Sequence, residues 1–147
     1  HLAKKVNNNI SCKLYDLKID HKTIDKVDLK DVCYIVDAVD DLDAKIAILK
    51  KAKELNIPLI SSMGVANKVN IKDLKIADVS KTDTCPLARK YRKMVRDLGI
   101  KDVPVLYSKE EPLNKDMGTI DYLVTAAALL ITEYVIKDLL EDNNEAA

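Results

Sequence analysis

One stretch of the chain, residues 32–63, constrains the fold more than any other. An apolar run ends in acidic residues, a helix-like pattern follows, and a second apolar run closes the stretch. Short apolar runs bounded by polar residues are typical of buried strands, and apolar residues every three or four positions are typical of an amphipathic helix. Two strands joined through a helix lie parallel, with a right-handed crossover. The stretch therefore predicts a β-α-β unit buried on both faces, within an α/β fold.

Elements of the same alternating kind are predicted on both sides of this unit. The patterns favour strands over 10–17, 32–36, 58–64, 74–79 and 103–107, and helices over 23–29, 42–55, 86–98 and 120–140. Residues 1–9 are interpreted as the end of a helix. Pro86 suits the first turn of its helix, Gly99 suits a C-cap, and Pro104 suits the start or the edge of a strand. Residues 108–118 are predicted to be a loop.

Length and composition exclude several classes of protein. The 147 residues, 48% of them hydrophobic, predict one domain with a substantial core. The formal net charge is zero, so nothing global indicates a nucleic-acid or membrane partner. Phe and Trp are absent, which leaves little material for stacking on bases. The apolar run 122–136 contains Glu133 and is too short to span a bilayer, so it predicts a buried helix and no membrane association.

The three cysteines are far apart and form no C-x-x-C pair. This excludes the usual paired-cysteine zinc module and favours a reducing, cytoplasmic setting. Cys85 precedes Pro86 at a predicted helix start, where the pKa of a thiol is lowered, so it is the best thiolate candidate. An ordinary loop cysteine is the alternative, and it is favoured because neither histidine lies nearby in sequence.

Acidic residues follow the first strand of the β-α-β unit. Asp37 closes that strand, and Asp40 and Asp41 follow at the turn into the helix. Ligands bind at this edge of open α/β sheets, and magnesium prefers one or two carboxylates together with substrate phosphates. Lys45, one helical turn further, could reach a phosphate or pair with Asp40. Helix capping is the alternative for these acids, and on spacing alone it is favoured.

Two other segments carry candidate binding residues. Ser61, Ser62 and Gly64 end the second strand of the unit, where they either line a ligand crevice or form a turn in which glycine adopts a positive φ. The polar face of the helix over 86–98 is basic and contains Arg89, Lys90, Arg92, Lys93 and Arg96. Such a face contacts RNA phosphates in some proteins and is more often simply solvated.

Five blocks of sequence, in order, resemble a known family. They are VDAVDDLDAK (36–45), IPLISSMGVAN (57–67), ADVSKT (77–82), PLAR with Arg92, and VLYS before Glu111. The series resembles the carboxyl-terminal half of the ThiF/MoeB/HesA superfamily, the adenylating enzymes related to ubiquitin-activating enzymes. Within it, the series resembles in particular the branch of tRNA threonylcarbamoyladenosine dehydratases. The resemblance covers nearly the whole chain.

The resemblance implies a Rossmann-like, mostly parallel sheet with flanking helices in a protein that binds ATP and Mg²⁺ and forms a homodimer. Residues 1–147 would be the C-terminal portion of a single ThiF-type adenylating domain that lacks the N-terminal glycine-rich βαβ unit. The chain contains three glycines and no phosphate-cradling loop, so by itself it is expected to be inactive. By resemblance, Asp40 and Lys45 are the catalytic candidates, Asp40 is the metal ligand, and the nucleotide-binding set is Asp37, Asp40, Lys45, Ser62, Gly64 and Asn67.

The resemblance leaves the substrate and the partners open. The dehydratase branch uses ATP to activate and cyclise threonylcarbamoyladenosine in tRNA, and tRNA would contact the face formed by Arg89, Arg92 and Arg96. One alternative is adenylation of a ubiquitin-like sulfur-carrier protein, although the absence of zinc cysteine pairs favours the dehydratase branch. Another is a non-catalytic domain that dimerises or docks a partner through the last helix. Gly118-Thr119 departs from the Gly-Ser that often precedes that helix in the family.

Overall fold

The computed structural model describes residues 2–113 and 118–145, with the backbone alone for 142–145. The predicted loop 108–118 therefore lies partly outside the described residues. The helices and strands, in chain order, are α1 (Leu2–Val6), β1 (Ile35–Asp37), α2 (Leu42–Glu54), β2 (Leu59–Ser62), β3 (Leu74–Asp78), α3 (Pro86–Asp97), β4 (Pro104–Ser108) and α4 (Asp121–Glu145). Three short 3-10 turns, Ile24–Lys26, Ile71–Asp73 and Val79–Lys81, lie between them.

The four strands form one sheet in the order β1-β2-β4-β3. β1 pairs with β2 and β2 pairs with β4 in parallel, whereas β3 runs antiparallel to β4. The predicted parallel β-α-β unit and mostly parallel sheet are confirmed. Pro104 is the first residue of β4, an inner strand, and the start of a strand is a position where proline is tolerated.

Helices cover both faces of this sheet. Alternate residues of a strand point to opposite faces, and in β2 Leu59 packs with residues of α2 and α3 while Ile60 packs with residues of α4. β4 divides in the same way, with Val105 in the first cluster and Leu106 in the second. The sheet is therefore the middle of three layers.

Four sequence-based predictions need correction. The segment 10–17 was predicted to be a strand, but it pairs with no described strand, and most of its side chains are exposed. The predicted helix over 23–29 is only the 3-10 turn Ile24–Lys26. The first strand of the unit begins at Ile35 rather than at residue 32, because its pairing partner β2 begins at Leu59. Val36 of that strand is 49% exposed, so β1 is not buried on both faces.

Candidate functional site

The carboxyl ends of β1 and β2 lie side by side at one edge of the sheet. Asp37 closes β1 in register with Ser61 of β2, and β2 ends at Ser62. Ligands of open α/β proteins bind in the crevice outside this edge. The structure therefore brings the candidate residues of both strands together.

Asp37 is buried, and donors from three directions surround its carboxylate. Oδ2 accepts hydrogen bonds from Lys45 Nζ at 3.0 Å and Ser61 Oγ at 2.6 Å, and Oδ1 accepts one from the backbone N–H of Val39 at 3.1 Å. A buried carboxylate is costly unless it is paired and hydrogen bonded, and here both oxygens are satisfied. Asp37 therefore shapes the site from within the fold and does not present a free oxygen to a ligand.

Lys45 pairs with Asp37 and not with Asp40, the partner that its spacing in the sequence suggested. Its side chain is fully buried, and its ammonium donates to Asp37 Oδ2 and, at 2.8 Å, to the carbonyl of Ser62. Burial lowers the pKa of Lys45, and the charges of Asp37 and then Asp40 oppose that shift. The ammonium joins α2 to the ends of β1 and β2, and a direct contact with a phosphate would require it to leave these partners.

Two residues of this network were not predicted: Ser61 as a direct partner of Asp37, and Tyr91 as a partner of Ser61. Tyr91, a core residue of α3, places its hydroxyl 3.3 Å from Ser61 Oγ, and its ring centroid lies 6.0 Å from Lys45 Nζ. Burial raises the pKa of the Tyr91 phenol, so it keeps its proton. In the sequence, Tyr91 belongs to the apolar stripe of its helix. The sequence offered one indication of such a network: a carboxylate buried at the end of a strand needs hydrogen-bond donors.

The two acids that follow β1 have different roles. Asp41 is the N-cap of α2 and accepts hydrogen bonds from the backbone N–H groups of Asp43 at 2.8 Å and Ala44 at 3.1 Å. The bond from Ala44, with that from Asp43, holds the pKa of Asp41 below its usual value. Asp40 is exposed, and its carboxylate accepts no hydrogen bond within the described ranges.

The loop after β2 contains the remaining candidates. Ser62 is half-buried, and its carbonyl holds Lys45. The carbonyl of Gly64 accepts a bond from the thiol of Cys85 at 3.7 Å. Gly64 does not adopt a positive φ, and a Cβ there would meet Leu87 at an ordinary 3.9 Å. Of the two alternatives for this segment, the turn with a positive φ at Gly64 is therefore not what the structure shows.

Asn67 connects this loop to the segment that precedes α4. Its φ is 58°, a left-handed conformation that asparagine tolerates. Its backbone N–H donates to the carbonyl of Gly118 at 2.7 Å, and its side-chain Oδ1 accepts from the N–H of Gly118 at 2.9 Å. Its carbonyl accepts from the N–H of Leu113 at 2.9 Å. These contacts position the loop relative to the approach to α4.

Cys85 lies at the start of α3, as predicted, but it is buried. Its sulfur faces the carbonyl of Gly64 and makes no capping bond to the helix. The favoured alternative, an ordinary loop cysteine, did not foresee this burial: Cys85 packs in the same core cluster as residues of α2 and α3.

Arg92 was predicted to belong to the exposed basic face of α3, but its guanidinium is bound to the preceding turn. Nη1 of Arg92 donates to the carbonyl of Thr82 and, at 2.6 Å, to Thr82 Oγ1, so Arg92 is half-buried and supports the turn before α3. The exposed basic residues of the helix are Arg89, Lys90, Lys93 and Arg96.

Among the described side chains, no three histidine, cysteine, aspartate or glutamate residues come together as a metal cluster. Of the three carboxylates considered at this edge, those of Asp37 and Asp41 are occupied by hydrogen bonds of the fold. Asp40 fits a site in which one carboxylate and substrate phosphates share a cation. No helix in the described part of the chain is long and apolar enough to cross a membrane.

The sheet order, the helices on both faces and the acidic carboxyl edge define a Rossmann-like α/β domain. The chain belongs to the ThiF family, which matches residues 1–147.

Relatives in this family include tRNA threonylcarbamoyladenosine dehydratase of Bacillus subtilis (strain 168), which is 35% identical over 74% of this chain and 51% of that protein. The tRNA threonylcarbamoyladenosine dehydratase 2 of Saccharomyces cerevisiae is 38% identical over 54% of this chain and 18% of that protein. The chain therefore spans about half the length of the Bacillus relative.

Solved structures share the fold. The Escherichia coli tRNA N6-threonylcarbamoyladenosine dehydratase in complex with ATP matches with a TM-score of 0.91 at 18% identity, over 98% of this chain and 63% of that chain. The complex of the same enzyme with AMP matches with a TM-score of 0.85 at 21% identity, over 97% and 62%. The expected Rossmann-like architecture is thereby confirmed.

Proposed function

We propose that the chain is the carboxyl-terminal portion of a single ThiF-type adenylating domain, in an ATP-dependent tRNA threonylcarbamoyladenosine dehydratase of the ligase or cyclase type. The observation that carries the proposal is the likeness to the Bacillus dehydratase over 74% of the chain. It is supported by Asp40, an exposed carboxylate at the ligand-binding edge of a Rossmann-like sheet.

The reaction proposed is activation of a carboxylate by ATP. A bond forms between a carboxylate oxygen of the substrate and the α-phosphorus, the bond from that phosphorus to pyrophosphate breaks, and ring closure then expels AMP. Such chemistry depends on positioning and on charge stabilisation. Asp40 would hold Mg²⁺ at the phosphates, and the ion, when bound, offsets their negative charge.

The other residues of the site support Asp40 from within the fold. Lys45 supports the edge from beneath: its ammonium pairs with Asp37 and donates to the carbonyl of Ser62, which joins the ends of β1 and β2. Ser62, Gly64 and Asn67 belong to the loop that would lie beside the nucleotide. The phosphates would be cradled by a glycine-rich loop that these 147 residues do not contain.

The proposal is tested by ATP–pyrophosphate exchange in the full-length polypeptide, with tRNA that carries threonylcarbamoyladenosine. Asp40→Asn is expected to lower exchange about 100-fold, because it removes the charge at the phosphates. Asp41→Asn is the matched control: it removes a neighbouring charge but keeps an N-cap residue, so exchange is expected to persist. The 147-residue chain alone is expected to give no exchange.

Three outcomes would contradict the proposal. Exchange by the 147 residues alone would show that no further phosphate loop is needed. An equal loss of exchange activity in Asp40→Asn and Asp41→Asn would show that Asp40 has no role beyond that of its neighbour. Exchange that requires a ubiquitin-like sulfur carrier and ignores tRNA would replace the dehydratase with the alternative substrate.

Partners and location are part of the same proposal. Contact with tRNA is supported by the exposed basic residues of α3. A homodimer is supported by exposed apolar side chains on one face of α4, which are Tyr122, Leu129, Ile136 and Leu140. A cytoplasmic location is supported by the three free cysteines, two of them exposed.

A further inference from the structure

The buried network around Asp37 connects α3, both strands of the β-α-β unit and α2. From the α3 side, Tyr91 contacts Ser61, and Ser61 contacts Asp37. From the α2 side, Lys45 contacts both Asp37 and the carbonyl of Ser62. No buried polar side-chain atom in the described part of the chain lacks a partner. The network is therefore fully satisfied, which is the condition under which buried polar groups rigidify a structure.

The direction of the hydrogen bonds follows from the number of protons available. A carboxylate only accepts, so the single hydroxyl proton of Ser61 is donated to Asp37 Oδ2 at 2.6 Å. The oxygen of Ser61 is then an acceptor, and the phenol of Tyr91 is the donor at 3.3 Å. Because burial raises the pKa of Tyr91, this donor stays protonated at ordinary pH.

The network ends on the turn that leads to Asp40. The second carboxylate oxygen of Asp37, Oδ1, accepts a hydrogen bond from the backbone N–H of Val39 at 3.1 Å, and Asp40 is the next residue. The carboxylate of Asp37 thus fixes the path by which the chain leaves β1. Ser61 and Tyr91 hold that carboxylate in place without reaching the surface themselves, since both are fully buried.

We propose that Ser61 and Tyr91 are positioning residues, which fix Asp37 and, through the turn at Val39, the direction of the Asp40 carboxylate. This inference rests on the function proposed for Asp40. It assigns to two buried hydroxyl groups an effect on the rate of adenylation that a purely structural role would not have.

The experiment uses the full-length polypeptide. Tyr91→Phe removes one oxygen and keeps the ring, and it is expected to lower kcat for ATP–pyrophosphate exchange about threefold to tenfold while KM for ATP changes less than about twofold. Ser61→Ala is expected to lower kcat about tenfold or more, and Ser61→Thr, which keeps the hydroxyl, to restore most of the loss. The double variant Tyr91→Phe/Ser61→Ala should match Ser61→Ala alone, because both act on one chain of bonds.

Tyr107→Phe is the matched control. Tyr107 is a buried tyrosine of the same core cluster, and its hydroxyl does not contact Asp37. Its removal is expected to leave kcat unchanged even if the melting temperature falls. Hydrogen exchange gives a second readout: the backbone amide of Val39 should exchange faster in Ser61→Ala and Tyr91→Phe, and at the wild-type rate in Tyr107→Phe.

The outcomes separate this inference from the proposed function. A wild-type enzyme without exchange activity would refute the proposed function, and the Val39 amide would still test the link to the turn. An active wild type whose kcat is unaffected by Tyr91→Phe and Ser61→Ala would overturn the positioning role. An equal loss of kcat in Tyr107→Phe would do the same, since it would indicate a general effect of core destabilisation.

Discussion

Asp78 joins the end of β3 to the start of β4 through one side chain. Its Oδ1 accepts hydrogen bonds from the backbone N–H and the hydroxyl of Ser80, and its Oδ2 accepts one from the backbone N–H of Val103 at 2.8 Å. Burial raises the pKa of Asp78, but the bonds from Ser80 and Val103 outweigh it and hold the pKa below its usual 3.8.

Asp78→Asn is expected to lower the free energy of unfolding by about 1–3 kcal/mol at neutral pH, because the amide nitrogen would face the N–H of Val103. The carboxylate's contribution is complete above the unfolded pKa of 3.8 and is lost as pH falls through the lower folded value. The difference between wild type and variant should therefore shrink below about pH 4. Urea unfolding at several pH values measures it. Asp16→Asn, at an exposed carboxylate, is the control, and an equal loss there would contradict the prediction.

The ion pair of Asp37 and Lys45 shows how burial changes the role of a charged residue. Both side chains are fully buried, so each has lost its hydration, and the cost is offset only because further hydrogen bonds satisfy both groups. Such a pair contributes little net stability but is sensitive to the loss of either member. Its value to the protein lies in the geometry that it imposes on the end of β1.

The basic residues of helix α3 are of two kinds: one is bonded to the fold, and the others are exposed to solvent. Its inward face is formed by Ala88, Tyr91 and Val95, and Arg92 at the margin of that face is tied to Thr82. The remaining basic residues are solvated. A contact with RNA would depend on the solvated residues, while the turn before α3 depends on Arg92.

Replacing Arg89 and Arg96 together by alanine is therefore expected to weaken tRNA binding by the full-length polypeptide and to reduce the salt slope of log Kd by about two, with little change in stability. Arg92→Ala is expected to lower the melting temperature and to leave the salt slope nearly unchanged. Binding titrations at several salt concentrations, with thermal melts, measure both effects. A salt slope unchanged in the double variant would exclude this face as the tRNA contact.

At the scale of the whole molecule, α4 is covered on one side only. Leu123, Ala127 and Ile131 pack on the sheet, whereas Leu129 is 66% exposed and Leu140 is 59% exposed. Large apolar side chains exposed along one helix are typical of an association surface. We infer that a second copy of the chain covers this side in the proposed homodimer.

Leu129→Glu is expected to shift a homodimer towards monomers, because the interface would bury an unpaired charge. Light scattering over a range of concentrations measures the change. Leu55→Glu is the matched control, since Leu55 is 42% exposed at the end of α2, on the opposite face of the sheet. A wild type that is monomeric throughout would refute the proposed dimer.

Elements with strong local signals could be predicted from the sequence. The apolar period of α2 and α3, the proline and glycine at the two ends of α3, and the parallel β-α-β unit are all encoded within short stretches of chain. The family blocks are local as well, and they identify the ThiF family before any contact is known. The strand predicted over 10–17 failed because a strand needs a partner, and alternation of residues does not specify one.

The sequence by itself determined the parallel β-α-β unit, the helices α2, α3 and α4, a mostly parallel sheet, and the acidic residues at its carboxyl edge. Only the tertiary structure decided which acidic residue forms a buried ion pair, which one caps a helix and which one stays exposed. Lys45 pairs with Asp37, Tyr91 and Ser61 complete that network, and Asp40 stays exposed. The physical reason is that hydrogen-bond partners inside a protein are chosen by burial and by distance in space. Tyr91 and Ser61, 30 residues apart in the chain, meet only when α3 packs on the sheet.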